Sequence, residues 1–111
     1  MEHINRIELL GIVGNVRTNE HNGMKVANFS LVTDILYKTR EGAAAETTWH
    51  NVVAWEGKEM PDVHSICKGM PLHVMGRVRT SKFTGIDGSE KFYHEVLASK
   101  IRILGNDAIE Q

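Results

Sequence analysis

Two tryptophans on one predicted strand are the residues whose type and spacing point most directly to chemistry. Trp49 and Trp55 are six residues apart, an even number, so we expect both side chains on the same face of the strand. At a rise of about 3.3 Å per residue they stand about 20 Å apart, which lets them contact different bases of one extended nucleic-acid strand. Each base stacked on an aromatic ring contributes about 1–3 kcal/mol, whatever the base. The competing interpretation is that both are core residues or anchors of a protein interface.

Basic residues lie among the other scarce aromatic residues. Arg77, Arg79 and Lys82 surround Phe83, and Lys38 and Arg40 flank Tyr37. Cations that contact phosphate, interleaved with rings that contact bases, are what a groove for single-stranded nucleic acid requires. A single Lys or Arg is usually a solvated surface charge, so the argument depends on the cluster from Arg77 to Phe83.

The overall charge opposes this interpretation. The chain has 13 Lys and Arg against 14 Asp and Glu, a formal net charge of −1, whereas a domain that binds phosphate without sequence preference usually has a basic surface. Any basic surface must therefore be local.

Catalytic and metal-binding constellations are not recognisable in the sequence. There is no phosphate-binding glycine loop, nucleophile elbow or zinc-protease motif. His64 and Cys67 have the spacing of two zinc ligands, but no second pair completes a set of four. We therefore predict no enzyme activity, no metal and no cofactor, with Cys67 a small core residue.

The elements expected to position these residues are five short β-strands. Runs rich in β-branched residues are separated by turn signals such as Asn22-Gly23, and we place the strands at 6–16, 24–33, 47–55, 72–80 and 92–104. Glycines 11 and 14, and a shift of apolar parity in the last run, indicate bulges. A loop is predicted at 38–46, and a helix at 59–68 from its apolar stripe at helical spacing. Five strands with a helix between the third and fourth predict an all-β, five-stranded OB-fold barrel.

Length and composition suit one domain. The 111 residues contain 41% hydrophobic residues and one cysteine, which favours a single globular unit in a reducing, cytoplasmic setting. The N-terminus lacks a secretory pattern and no apolar run is long enough to span a membrane. We assign the OB-fold domain to residues 1–105 and a short C-terminal extension to residues 106–111.

Taken in order, several short motifs make residues 5–104 similar to the bacterial single-stranded DNA-binding protein family. These are Asn5-Arg6-Ile7 with Leu10-Gly11-x-x-Gly14, Val26-Ala27-Asn28-Phe29-Ser30-Leu31, Thr48-Trp49-His50-Asn51-Val52-Val53, Lys68-Gly69, and Gly76-Arg77-Val78-Arg79-Thr80-x-Lys82-Phe83.

The resemblance implies roles for individual residues. The family's DNA-stacking aromatics would fall on Tyr37, Trp49, Trp55 and Phe83. Its contacts to the DNA backbone would fall on Arg6, Lys58, Lys68, Arg77, Arg79 and Lys82. His50 resembles a position at the family's subunit interface, and Glu56 resembles an inserted residue that would shift the register of Trp55.

The same resemblance implies single-stranded DNA as partner, binding and protection of exposed strands in replication, recombination and repair, and a homotetramer or else a dimer. Family members active in replication end in an acidic tip that recruits other proteins. The last six residues contain only Asp107 and Glu110 as acids. The sequence therefore resembles either a tail-less or a truncated member of the family, and it offers no support for recruitment of partner proteins through a tail.

Two alternatives remain at the level of sequence. One is a tail-less primosomal replication accessory protein of the same fold, which binds DNA as a dimer; the aromatic set favours the first interpretation. The other is an OB module for protein–protein assembly, whose interface would use the same Trp, Tyr and Arg residues. Salt dependence distinguishes DNA binding from assembly, since only phosphate contacts weaken steeply as salt rises.

Overall fold

Five antiparallel and parallel strand pairings close the sheet into a barrel. The computed structural model describes residues 1–105, and the predicted C-terminal extension lies outside them. The neighbour order is β1-β2-β3-β5-β4, with β4 pairing back to β1 and with β3 and β5 parallel. The strands are β1 (Ile7–His21), β2 (Met24–Thr39), β3 (Gly42–Trp55), β4 (Pro71–Thr84) and β5 (Glu90–Ile103). The predicted all-β OB-fold barrel is confirmed.

Alternating side chains fill the interior of the barrel. On β2, Ala27, Phe29 and Leu31 are buried, while Asn28 between them is exposed. They lie opposite β3 in the order Ala27–Ala54, Phe29–Val52 and Leu31–His50. Because strand side chains alternate between the two faces, this register leaves the odd-numbered residues of β3, including both tryptophans, on the outer face.

Two bulges bend the strands, as Gly14 and the parity shift in the last run predict, whereas the ladder through Gly11 has no register shift. The β1–β2 register gains one residue in β1 between Val13 and Val16, around Gly14. In β5 one residue, Ser99, is extra where Met75 pairs with Lys100 and Gly76 pairs with Ala98. A bulge increases local twist and bends the strand, which a small closed barrel requires. The Asn22-Gly23 turn is also confirmed, with φ of 52° and 81°.

The loop predicted at 38–46 is wrong. Strands β2 and β3 stay paired out to Thr39 and Gly42, so only Arg40 and Glu41 form the turn. This outer part of the hairpin is exposed on both faces, so its sequence has no reason to alternate, and its alanines and charges have low strand propensity. Backbone pairing with the neighbouring strand forms it instead.

The helix predicted at 59–68 is also wrong, since the described segment contains only a 3-10 turn at Val63–Ser65. Val63 and Ile66 are buried, as a spacing of three allows in a 3-10 turn. The segment bonds to itself only in short turns, and its two ends bond to strands: Gly69 N–H donates to the Val13 carbonyl at 2.8 Å, and Ile101 N–H donates to the Glu59 carbonyl at 3.2 Å. These bonds to the barrel take the groups that a helix would have used.

Within residues 1–105, no helix has the length and apolar character that crossing a membrane would require.

Leu31 is the interior residue we would truncate first. It is fully buried, so Leu31→Ala should reduce the free energy of unfolding by about 2–5 kcal/mol through lost apolar contact and the cavity left behind. Leu36→Ala is the matched control on the same strand: its side chain is 78% exposed, and we expect a change within about 0.5 kcal/mol. Urea unfolding followed by circular dichroism measures both, and equal losses would contradict the assigned core.

Candidate nucleic-acid interface

A groove runs across the outer face of β1, β2 and β3 and is walled by the β4–β5 hairpin. It consists of two adjoining cavities of about 590 and 390 Å³ that share Asn28, Val53, Tyr93 and Glu95. The first is lined further by Asn15, Val16, Arg17, Phe29, Ser30, Asn51 and Val52, and the second by His21, Val26, Trp55, Arg79, Ser81 and Lys82. An elongated open channel of this kind suits a chain-like ligand.

The two tryptophans lie at opposite ends of the same outward row of β3. Trp49 is opposite Val32 and Trp55 is opposite Val26, with no register shift between them, and the following Glu56 N–H donates to the Lys25 carbonyl at 3.0 Å. Trp49 is 61% exposed. Trp55 is half-buried, with its ring 6.0 Å from that of His21. The even spacing therefore produces the shared outer face that the sequence predicts.

Gly14 makes room for Trp49. A Cβ built on Gly14 would lie 2.6 Å from Cζ3 of Trp49 and 2.6 Å from Oγ of Ser30, closer than atoms can pack. The indole therefore lies over the bare backbone of the β1 bulge, while Ser30 Oγ accepts a hydrogen bond from the Asn15 N–H at 2.9 Å. The glycine thus serves the aromatic surface as well as the bend.

The β4–β5 hairpin supplies the second aromatic pair. Phe83 and Tyr93 are tilted against each other with ring centroids 5.9 Å apart, and both are exposed, Phe83 by 49%. Tyr93 lines both cavities, yet the sequence reasoning did not select it. It lies opposite Ser81, two residues from Phe83 in the β4–β5 register, a pairing that only the structure shows.

Tyr37 lies away from these rings. It is 47% exposed on the outer part of the β2–β3 hairpin, opposite Ala44. Its parity along β2 is that of Leu31 rather than that of Val32, the neighbour of Trp49. It lines neither cavity of the groove.

The predicted basic residues are divided by the fold. Arg79 and Lys82 line the groove. Arg17, which the sequence reasoning missed, lines the first cavity. The other four are exposed but line neither cavity: Arg6, Lys58, Lys68 and Arg77. Basic charge in the groove itself is therefore concentrated on β1 and on the β4–β5 hairpin.

Side-chain amides form the polar part of the groove floor. Asn15, Asn28 and Asn51 are exposed and line the first cavity, where their amide groups can both donate and accept hydrogen bonds. Such amides can form hydrogen bonds with the polar groups on the edge of any base. Their outward parity on β2 and β3 was readable from the alternation, but their convergence depends on the strand register.

His50 occupies the opposite parity to Trp49, as the sequence predicts. Its Nε2 lies 3.0 Å from Oγ1 of Thr33, and partial burial lowers its pKa below the usual value. It borders a small cavity of about 190 Å³ whose lining also includes Ile7, Trp49 and Glu95. Its imidazole is therefore neutral at neutral pH.

Cys67 is exposed, contrary to the core position expected for it, and its thiol donates to the Ser65 carbonyl at 3.2 Å. His64 Nε2 lies 2.9 Å from the Asn19 carbonyl oxygen. Within residues 1–105 no group of three or more His, Cys, Asp or Glu side chains is placed to hold a metal ion.

A closed OB barrel with an aromatic and basic groove defines a class of nucleic-acid-binding domains. The model of the single-strand binding protein family matches residues 4–104, and the chain belongs to that family.

Named relatives and solved structures agree with this assignment. A single-stranded DNA-binding protein of Xanthomonas campestris pv. campestris is 34% identical over 105 residues, covering 92% of this chain and 61% of that protein. One of Neisseria meningitidis serogroup A is 29% identical, covering 92% and 60%. The chain thus spans about three fifths of the length of these curated relatives. The solved structure titled Plasmodium falciparum SSB complex with ssDNA has a TM-score of 0.81 and 26% identity, covering 95% of this chain and 98% of that one.

Gly14→Ala tests the packing of Trp49. The added methyl group must displace the indole or Ser30, so we expect a loss of stability of about 1–3 kcal/mol and a shift of the Trp49 indole N–H resonance, with that of Trp55 unchanged. Gly57→Ala is the control, because its nearest atom would lie 3.9 Å away. An unshifted Trp49 resonance in a folded Gly14→Ala protein would show that the indole does not lie over the bulge.

Proposed function

We propose that this protein binds single-stranded DNA without sequence preference and protects exposed strands during replication, recombination and repair. The observation that carries the proposal is the groove itself, in which Trp55 and Tyr93 line the same channel as Arg79 and Lys82, with Phe83 packed against Tyr93. Bases stack on the rings and the cations contact phosphate. Neither contact depends on the identity of the base, so this mode of binding accepts any sequence. The family assignment and the relatives' names support the same ligand.

Tryptophan fluorescence can report on binding, because Trp55 lines the groove and Trp49, outside its two cavities, lies on the same outer row of β3. Titration with oligo(dT) should quench tryptophan fluorescence, and the affinity should fall steeply with salt, with a slope of log K against log salt near −0.7 for each phosphate contacted. Quenching without salt dependence would favour a stacking or assembly surface that makes no phosphate contact. No binding at low salt would overturn the proposal.

Truncation of single groove aromatics tests their roles. Trp55→Ala and Phe83→Ala should each weaken oligo(dT) binding by about 1–3 kcal/mol, because one base loses its stacking partner. Phe92→Ala is the matched control: Phe92 is 66% exposed on β5 but lines neither cavity and has the opposite strand parity to Tyr93, whereas Phe83 packs against Tyr93 in the groove wall. Fluorescence anisotropy of a labelled oligonucleotide measures all three. Equal losses in Phe83→Ala and Phe92→Ala would exclude the groove as the binding site.

The residues outside the groove have a different place in the proposal. Where a longer strand continues beyond the channel, its backbone contacts the four exposed basic residues Arg6, Lys58, Lys68 and Arg77. One of its bases stacks there on Tyr37 of the β2–β3 hairpin. Oligonucleotides of increasing length separate the two sets, because only the longer ones should lose affinity when Tyr37 is truncated.

We also propose that the protein acts in the cytoplasm as a homotetramer, or else as a dimer, with His50 at a subunit interface. A half-buried, neutral imidazole beside a small cavity is chemically suited to such a contact. His50→Glu should shift sedimentation toward smaller species by placing a charge there, whereas Thr47→Glu, on the exposed hairpin, should not. An unchanged sedimentation profile in the folded His50→Glu protein would remove His50 from the interface.

A further inference from the structure

Glu95 is an acidic residue in the wall of a groove that we propose binds a polyanion. It lies on β5, is only 8% exposed, and lines both cavities. It is the one acidic side chain among the described residues that lines either of them. A negative charge in this position repels phosphate, so its presence calls for a compensating role.

Its contacts indicate what that role is. One oxygen, Oε1, accepts hydrogen bonds from Nε of Arg79 at 2.7 Å and from Oγ of Ser81 at 2.8 Å. Arg79 lies directly opposite Glu95 in the β4–β5 register. Because a guanidinium has five N–H donors and Nε supplies one of them, the Nη groups of Arg79 stay available to another acceptor.

We propose that Glu95 is a positioning residue for DNA binding, which holds Arg79 in place in the groove before the strand arrives. A free arginine side chain samples many rotamers, and ordering it on binding lowers the affinity. An arginine already held by a buried carboxylate avoids most of that loss and presents its Nη groups to a phosphate. This inference rests on the proposed function, because it assigns Arg79 a phosphate contact.

A second ion pair on the same hairpin provides the contrast. Lys82 Nζ and Glu90 Oε1 are 3.8 Å apart, with both side chains at least 60% exposed. A pair this exposed orients neither partner strongly. Glu90 therefore contributes a negative charge near the groove without holding a cation in place. Glu95 contributes an equal negative charge and also holds Arg79 in place.

The two glutamates consequently predict effects of opposite sign. Glu90→Gln and Glu95→Gln each remove one negative charge, which by itself strengthens binding to DNA. We expect Glu90→Gln to raise the affinity for oligo(dT) by up to about twofold at low salt. We expect Glu95→Gln to lower it by about fivefold, because a neutral amide holds the guanidinium less firmly than a carboxylate does.

The inference is tested by anisotropy titrations at several salt concentrations. Four variants are titrated: Glu90→Gln, Glu95→Gln, Arg79→Ala and the double variant Arg79→Ala/Glu95→Gln. If Glu95 acts through Arg79, the Glu95→Gln loss disappears in the Arg79→Ala background, and Glu95→Gln reduces the salt slope by up to about 0.7, the share of one phosphate contact. Thermal unfolding by circular dichroism identifies the folded variants. If the Glu95→Gln protein does not fold, the Arg79→Lys variant is tested in its place. Lysine keeps the positive charge but lacks the forked guanidinium donors, so the affinity for oligo(dT) should still fall.

Tighter binding by Glu95→Gln, matching Glu90→Gln, would overturn the inference, as would a loss that persists without Arg79 or wild-type affinity in Arg79→Lys. Each of those results requires that the wild-type protein binds oligo(dT). Absence of binding by the wild-type protein would instead refute the proposed function.

Discussion

The closed barrel depends on β1, which pairs with two different strands. Its first half pairs with β4, from Ile7–Gly76 to Ile12–Pro71, and its second half pairs with β2, from Ile12–Val32 to His21–Met24. Ile12 thus belongs to both ladders, and the bulge just beyond it bends the strand. Backbone groups buried without partners are costly, so closing the sheet here satisfies the strand edges that an open sheet would expose.

The groove follows from that closure. Bending β1 at Gly14 places its outer face next to those of β2 and β3, and the same glycine leaves space for Trp49. Joining β5 to β3 brings the β4–β5 hairpin over the other side, with Tyr93 beside Trp55 as a lining residue. The aromatic rings and the cations come from strands far apart in sequence, and barrel closure is what brings them to one channel.

Charge in this protein has to be considered locally. A net charge of −1 gives little long-range attraction to DNA, so cations placed in the groove carry the electrostatic contribution. One of them, Arg79, is hydrogen-bonded to the buried Glu95. The acid offsets part of the attraction between the groove and phosphate, and in our proposal the fixed geometry of the arginine compensates for that offset.

The sequence by itself determined the elements that local chemistry specifies. Alternation in β2, the Asn-Gly turn, the even spacing of the tryptophans and the bulge glycines were all readable, because strand parity and positive φ act over a few residues. Tertiary structure decided the rest. The outer β2–β3 hairpin is formed by pairing that its composition does not encode, and the predicted helix is replaced by short turns whose ends bond to strands, Glu59 to β5 and Gly69 to β1. Tyr93, Arg17 and Glu95 became groove residues only through the register of strands that meet when the barrel closes, a long-range pairing that no local pattern specifies.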